Sequence, residues 1–416
     1  MDYKNLKKIF HMFGEQNLEN EYQIRQEAFT TFLTNIEIHP IRDQRQCQTV
    51  SYPLFICMSK TLTHKMEHVL LNSNRIIKFS YAQPPIALQS YLDKLLINEL
   101  QSTNEKENVR STKAELAEIL NNHQGKKNKK FQGLVKQYQM LGNAEINIKE
   151  VSDFRMVYDM LLSHDIEQEQ QPDGKNFRTE GVGVYDNAMG KWIHRNDFDE
   201  VKINEFLNKL LVFQNDESIP YLIRMAASHY IFEYLHPFYD GNGRLGRYLI
   251  AKMLHEALDP ITALTFSYTV NRNKTKYDKA FANASEYFNK GELTEFVETM
   301  FDLIIEGQES ALEEMQISLV TLQRLEKGLK QLDLSQEAYQ FLFVLIQDKI
   351  FGSQLSRIAL PNLTEVLNLS RHKVNGLVEE HHDKLTQIKK RPAVYEIKDT
   401  FIEQLLSTEI EEKMNI

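Results

Sequence analysis

The run His236-Pro-Phe-Tyr-Asp-Gly-Asn-Gly-Arg-Leu-Gly-Arg247 constrains this chain more than any other stretch. Pro237 disfavours helical geometry at the residue before it, so the apolar-periodic segment Tyr221–Leu235 should end at His236 and leave the imidazole on a loop. Gly241 and Gly243 lack a Cβ and let backbone N–H groups come close to a ligand. Leu245, Leu249 and Met253 then recur at helical spacing, which predicts a helix over Arg244–Leu258, stopped by Pro260. The turn thus sits at a helix N-terminus, where free N–H groups and the helix dipole favour an anion. Arg244 and Arg247, three apart, share a face and form a fork for phosphate oxygens. Asp240 is a hard oxygen ligand suited to Mg²⁺. A lone His before Pro is ordinarily a loop residue, and an Arg pair ordinarily a solvated face. The weight lies in finding all of these within twelve residues.

The same window contains Gly241-x-Gly243-x-x-Gly246, the dinucleotide-binding fingerprint, but that pattern requires a preceding strand within a βαβ unit. Leu222, Met225, Ala226, Ile231 and Tyr234 instead give the upstream segment helical spacing. A kinase glycine-rich loop fails as well, since no V-A-I-K, H-R-D or D-F-G partner occurs. The window does match, at every defined position, the signature His-x-Phe-x-(Asp/Glu)-Gly-Asn-Gly-Arg-x-x-Arg, and on this the chain resembles the Fic family. The resemblance implies transfer of AMP from ATP to a Ser, Thr or Tyr hydroxyl of a protein substrate, with release of pyrophosphate. It implies His236 as general base, a task suited to an imidazole titrating near neutrality. It implies Asp240 as the Mg²⁺ ligand, Gly241, Asn242 and Gly243 as the phosphate cradle, Arg244 on the β-phosphate and Arg247 on the γ-phosphate.

With 416 residues, 42% of them hydrophobic, the chain can bury more than one core. A net charge of −9 argues against a dedicated nucleic-acid binder. Cys47 and Cys57 have no metal-like spacing, which fits a reducing, cytoplasmic setting. No apolar run approaches membrane-spanning length, and the N-terminus lacks a signal-peptide core, so a soluble protein without a membrane partner is expected.

A mainly α fold is expected, with an N-terminal helical region over 1–110, a helical core over 111–315 and a smaller domain over 333–416. Met1–Pro53 reads as a short helical or irregular lead-in. Leu54–Asn74 and Ile86–Leu100 read as amphipathic helices separated by Pro84-Pro85. The second leads into Ser102-Thr-Asn-Glu-Lys-Glu-Asn108, which by itself is a polar helix boundary with a solvated glutamate. Thr103, Glu107 and Asn108 also fit the family pattern (Ser/Thr)-x-x-x-Glu-(Gly/Asn) of an inhibitory helix, with Lys106 replacing the apolar residue often found there. The resemblance then implies that Glu107 pairs with Arg247 and blocks the γ-phosphate position, or orients a water for removal of AMP. A carboxylate and a phosphate can compete for one guanidinium. Ser111–Leu120 and Val151–Leu162 read as further helices, and Gly125–Lys130 as a basic, solvated loop.

Short extended pieces around Val182, Val184 and Trp192-Ile193, with a turn over Asp186–Gly190, predict a hairpin. In the family the corresponding hairpin is a flap that pairs with the target; Arg178–His194 carries it here, with Val182, Gly183 and Val184 as docking residues. Tyr277 is the candidate for the adenine pocket, or else a core tyrosine. Beyond Asp333, helices followed by strands Leu385–Ile388 and Ala393–Ile397 around Lys389-Lys-Arg-Pro392 resemble a winged helix-turn-helix. Arg371, His372 and Lys373 share their helix with Glu379 and Glu380, so a protein partner is favoured over DNA. The resemblance also allows self-modification and a homodimer. A competing reading is a nucleotide-sensing regulator that acts through the winged helix on DNA or a partner protein; the same fold with another donor, such as UTP or a phosphocholine carrier, is a third.

Overall fold

The computed structural model describes residues 3–43, 45–121, 130–143, 147–186 and 191–414. The fold is mainly helical, with short strand pairs. The chain begins with α1 (Leu6–Phe13), α2 (Glu15–Glu27), β1 (Thr31–Ile38), β2 (Ile41–Arg42), β3 (Arg45–Gln46) and β4 (Tyr52–Cys57). It continues with α3 (Lys60–Ala82), α4 (Pro85–Lys106), α5 (Lys113–Asn121), α6 (Gln132–Gln139) and α7 (Val151–Leu162). Next come β5 (Val182–Asp186), β6 (Lys191–Asn196), α8 (Glu200–Gln214), α9 (Tyr221–Leu235), α10 (Asn242–Ala257), α11 (Pro260–Arg272), α12 (Lys274–Ala284) and α13 (Thr294–Lys330). The last elements are α14 (Gln336–Phe351), α15 (Leu360–Leu367), α16 (Arg371–Glu380), β7 (Leu385–Lys390), β8 (Ala393–Ile397) and α17 (Asp399–Met414).

Two compact units result. One comprises Met1–Ser73, Glu99–Ser111 and Asn122–Gln308; the other comprises Asn74–Asn98, Thr112–Asn121 and Glu309–Ile416. At the centre of the first lies α9, which buries residues on all sides, from Leu222 and Ile223 through Tyr230 and Ile231 to Leu235. A helix apolar all round belongs in an interior. Its successor α10 buries Leu245, Tyr248, Ile250, Ala251 and Leu254. The loop between these two helices, 236–241, is therefore anchored at both ends in the core; it carries the first half of the twelve-residue motif, and the second half opens α10.

Several elements depart from expectation. Leu54–Cys57, read as the start of an amphipathic helix, is strand β4, antiparallel to β1 with Leu33 opposite Phe55. Leu54, Phe55, Ile56 and Cys57 are all buried, and a short continuous apolar run fits a strand as well as a helix by periodicity. The helix proper begins at Lys60. The helix expected to end near Leu100 runs on to Lys106. Pro260 does more than stop α10. It occupies the first turn of α11, whose cap Asp259 accepts from the Thr262 N–H at 2.8 Å.

The hairpin forms as β5 and β6, with Val182 opposite Asn196 and Val184 opposite His194. Residues 187–190 of its expected turn lie outside the described residues, as do residues 125–129 of the basic loop. In the second unit, α14, α15 and α16 precede the antiparallel pair β7–β8, and a single bridge joins Ala359 to Val394. Ser370 caps α16 by accepting from the Lys373 N–H. Among the described residues, no helix is long and apolar enough to cross a membrane.

Candidate functional site

The site is built where α9 stops. His236 takes a left-handed conformation (φ 48°) as the C-cap of α9 and donates its backbone N–H to the Phe232 carbonyl at 3.1 Å. That conformation is uncommon for a non-glycine residue and requires support from its surroundings. Arg178 supplies it. Its fully buried guanidinium donates to the carbonyl of His236 at 2.6 Å and of Leu235 at 3.2 Å, and also to those of Glu180 and Phe198. A cation at a helix C-terminus satisfies carbonyls that have no intrahelical partner. The His236 Nδ1 meets the Glu233 carbonyl, which can only accept, so Nδ1 carries the hydrogen and Nε2 is left as the basic nitrogen. Burial, partly offset by Glu107, holds the imidazole below its ordinary pKa, so it is neutral at pH 7.

The loop closes through Asn242, whose amide accepts from Phe238 N–H at 3.0 Å and donates to the Phe238 carbonyl at 2.8 Å. Gly241 lies at φ +83°, where a side chain would be strained, and its N–H bonds the Asp240 carboxylate at 2.6 Å. Asp240 stays 45% exposed on its side chain, whereas that of Arg244 is 1% exposed and only 3.5 Å from Asp240.

One turn further along α10, Arg247 is buried beneath the end of α4. Its Nε donates to the Thr103 hydroxyl at 2.9 Å, its Nη2 donates to the Thr103 carbonyl at 3.0 Å, and Nη2 pairs with the Glu107 carboxylate at 2.9 Å. Burial would push the Glu107 carboxyl up, yet the guanidinium outweighs it and holds the group below its ordinary value. Glu107 follows the last residue of α4, and Asn108 (φ 58°) ends the helix in the left-handed region. Glu105 binds Asn271 of α11 at 2.8 Å, and Lys106 pairs with Asp278 of α12 at 2.9 Å, so this helix end is tied on both flanks. The absent Cβ of Gly243 is what lets Glu107 approach the first turn of α10; a methyl there would collide with its carboxylate.

These residues enclose a cavity of about 380 Å³ whose lining includes Glu107, Glu233, His236, Gly243, Arg247 and Tyr277. Tyr277 is buried and its hydroxyl lies 2.6 Å from His229 Nε2; the Lys106 ammonium sits 5.5 Å from its ring centre. The structure thus brings His236, Gly243, Arg247, Glu107, Asn108 and Tyr277 around one cavity. Thr103 bonds Arg247 from the end of α4, while Asp240 and the buried Arg244 do not line this cavity. Val182 and Gly183 lie on β5.

For Mg²⁺, the fit rests on the donor set. Among the described residues no group of three or more His, Cys, Asp or Glu side chains could hold a metal alone. Asp240 offers one partly exposed carboxylate, and Mg²⁺ is commonly bound by one or two carboxylates completed by substrate phosphates and water. Asp240 fits that role.

Comparison with known proteins bears on this geometry. Residues 151–254 match the Fic/DOC family. The Fic/DOC match spans α7 through most of α10, including β5, β6 and the whole His236–Arg247 run. A Fic family protein from Desulfovibrio desulfuricans shares the fold, with a TM-score of 0.51 at 15% identity over 82% of this chain and 97% of that one. Fic-1 from C. elegans aligns at 18% identity over 63% of this chain and 72% of that one, with a TM-score of 0.44. A Fic domain containing signaling protein from Bacteroides thetaiotaomicron aligns at 18% identity over 62% of this chain and 97% of that one, with a TM-score of 0.43.

Sequence reasoning missed Arg178 and Glu233. Nothing local marks either residue. Arg178 acts on carbonyls of α9 that are 57 and 58 residues away in sequence. Glu233 looks like any helical glutamate, yet burial raises its carboxyl to about 8, and it faces both Arg247 and Glu107.

Proposed function

We propose that the chain is a protein adenylyltransferase held in check by Glu107. The observation that carries this reading is the 2.9 Å pair between Glu107 and Arg247 in the cavity that also holds His236. An arginine poised for a terminal phosphate is engaged by a carboxylate that only nucleotide or displacement of α4 would release. In the released state ATP would lie with its phosphates over the N-terminus of α10 and its base toward Tyr277. His236 Nε2 takes the proton of the target hydroxyl as that oxygen bonds the α-phosphorus. The bond from the α-phosphorus to the bridging oxygen breaks, and pyrophosphate leaves. Asp240 would hold Mg²⁺, which neutralises charge on the polyphosphate when bound. Arg244 and Arg247 orient the leaving pyrophosphate, so that positioning and charge neutralisation supply most of the rate. Strand β5, near Val182, Gly183 and Val184, would receive an extended segment of the target by backbone pairing.

The test uses ATP labelled on either its α- or its γ-phosphate, incubated with the Glu107→Gly protein and a cell lysate. Label from the α-phosphate, appearing on protein above the lysate background and released as AMP by phosphodiesterase, is expected. Label from the γ-phosphate above that given by the lysate alone would mean phosphoryl transfer and would overturn the assignment.

A further inference from the structure

The arginine beside the proposed metal ligand has an arrangement that its assigned contacts do not explain. The Arg244 side chain is 1% exposed, yet its Nε and Nη1 have no hydrogen-bond partner among the described residues. Its Nη2 makes one long contact, 3.5 Å, to Asp240. A guanidinium stays charged at any ordinary pH, and a buried charge with open N–H groups is costly unless something answers it. The group that answers it is Asp165, whose side chain is 2% exposed and whose Oδ2 lies 4.0 Å from Arg244 Nη1 without a hydrogen bond of its own. Burial raises the Asp165 carboxyl, and Arg244 is among the groups that oppose the rise.

Asp165 is itself fixed from the other side. Its Oδ1 accepts from the Phe131 backbone N–H at 2.7 Å. Phe131 caps α6 in the left-handed region (φ 65°), with its ring buried. The carboxylate is therefore locked by backbone on one oxygen, and its other oxygen faces the arginine at a distance too long for a hydrogen bond. A closer, bidentate pair would consume the N–H groups of Arg244. At 4.0 Å the carboxylate supplies charge and direction to the guanidinium without taking up its N–H groups.

The geometry points to Asp165 as a positioning residue for Arg244, one that keeps the guanidinium aligned on the β-phosphate when Asp240 turns to the metal. Asp240, the other carboxylate near Arg244, cannot serve both partners at full strength. Asp165 remains. This inference rests on the nucleotide-transfer reading above.

The experiment compares AMP, ADP and ATP affinities by calorimetry with EDTA present, and AMP and ADP affinities again with Mg²⁺, in Glu107→Gly and in Glu107→Gly with Asp165→Asn. Asparagine keeps an oxygen for the Phe131 N–H and presents an amide donor to Arg244. ADP and ATP should bind about tenfold more weakly, as expected for loss of one well-aligned charge-assisted contact, while AMP, which lacks the β-phosphate, should change less than about twofold. The thermal midpoint of the nucleotide-free protein should fall, because a buried guanidinium loses the charge that answers it, so affinities are compared well below that midpoint and the ATP-to-AMP contrast is the readout. If the Asn variant does not fold, Asp165→Glu carries the same ATP-to-AMP comparison. Equal weakening of AMP and ATP would show a merely structural role and overturn the proposal, as would unchanged ADP and ATP affinities. Failure of Glu107→Gly itself to bind ATP would instead strike the proposed function and is read separately, from the single variant.

Discussion

Removing the Glu107 carboxylate should tighten ATP binding and leave AMP binding almost unchanged. Arg247 has three contacts from the end of α4, two to Thr103 and one to Glu107, all between 2.9 and 3.0 Å. Only the last competes with a phosphate for Nη2. A hydrogen bond to a charged group contributes roughly 1.5–3 kcal/mol. The Glu107 side chain keeps 29% exposure, which favours the lower part of that range through solvent screening. Taking about 1.5–2 kcal/mol as the contact that the γ-phosphate must displace gives a gain in ATP affinity of roughly 10- to 30-fold for Glu107→Gly. Glu107→Gln, which keeps the shape but not the charge, should recover most of the same gain. Calorimetric titration of ATP and AMP into the three proteins reads the effect. Equal tightening for AMP and ATP would mean that Glu107 only obstructs the cavity, and no tightening for either would refute the competition.

Other consequences follow from the same contacts. His236 is held below its ordinary pKa of 6.5 by burial, so it should act as a base at and above pH 6.5, with transfer falling only as pH drops through a lower value. Because Glu107 raises that imidazole, Glu107→Gly should move the acid limb of the pH–rate profile further down; a limb above pH 6.5 would contradict the assignment. Thr103→Val deletes the buried acceptor for Arg247 Nε and should lower unfolding free energy by about 1–3 kcal/mol in urea titration. Arg178→Lys cannot reach with one ammonium all the carbonyls that the guanidinium binds. It should lose roughly 1–3 kcal/mol of stability and reduce transfer in the Glu107→Gly background, because the His236 carbonyl loses its anchor.

What was readable in the sequence follows from where the information lies. The helix-breaking Pro237, the two motif glycines and the following apolar period are local, and α9, the loop and α10 appear within two residues of their expected bounds. The mainly helical class follows from the same periodicity repeated along the chain. β4 reads as helix in the sequence because four consecutive buried apolar residues carry no period, and Leu54, Met58 and Leu62 happen to recur at helical spacing. The start of α11 was hidden because one proline can both stop a helix and begin the next. The partners of the site that matter by contact alone left no trace. Arg178, Asp165 and Glu233 reach their positions through tertiary packing over tens of residues, and each in sequence is an ordinary charged side chain.

The central claim, an AMP-transferring site restrained by Glu107 and driven by His236, is tested most directly by one labelling comparison. The wild type, Glu107→Gly, and Glu107→Gly with His236→Ala are each incubated with α-phosphate-labelled ATP, Mg²⁺ and a cell lysate. Protein-bound label should be faint in the wild type, strong in the single variant and absent from the double variant. Label persisting in the double variant, or missing from the single one while ATP still binds, would contradict the account.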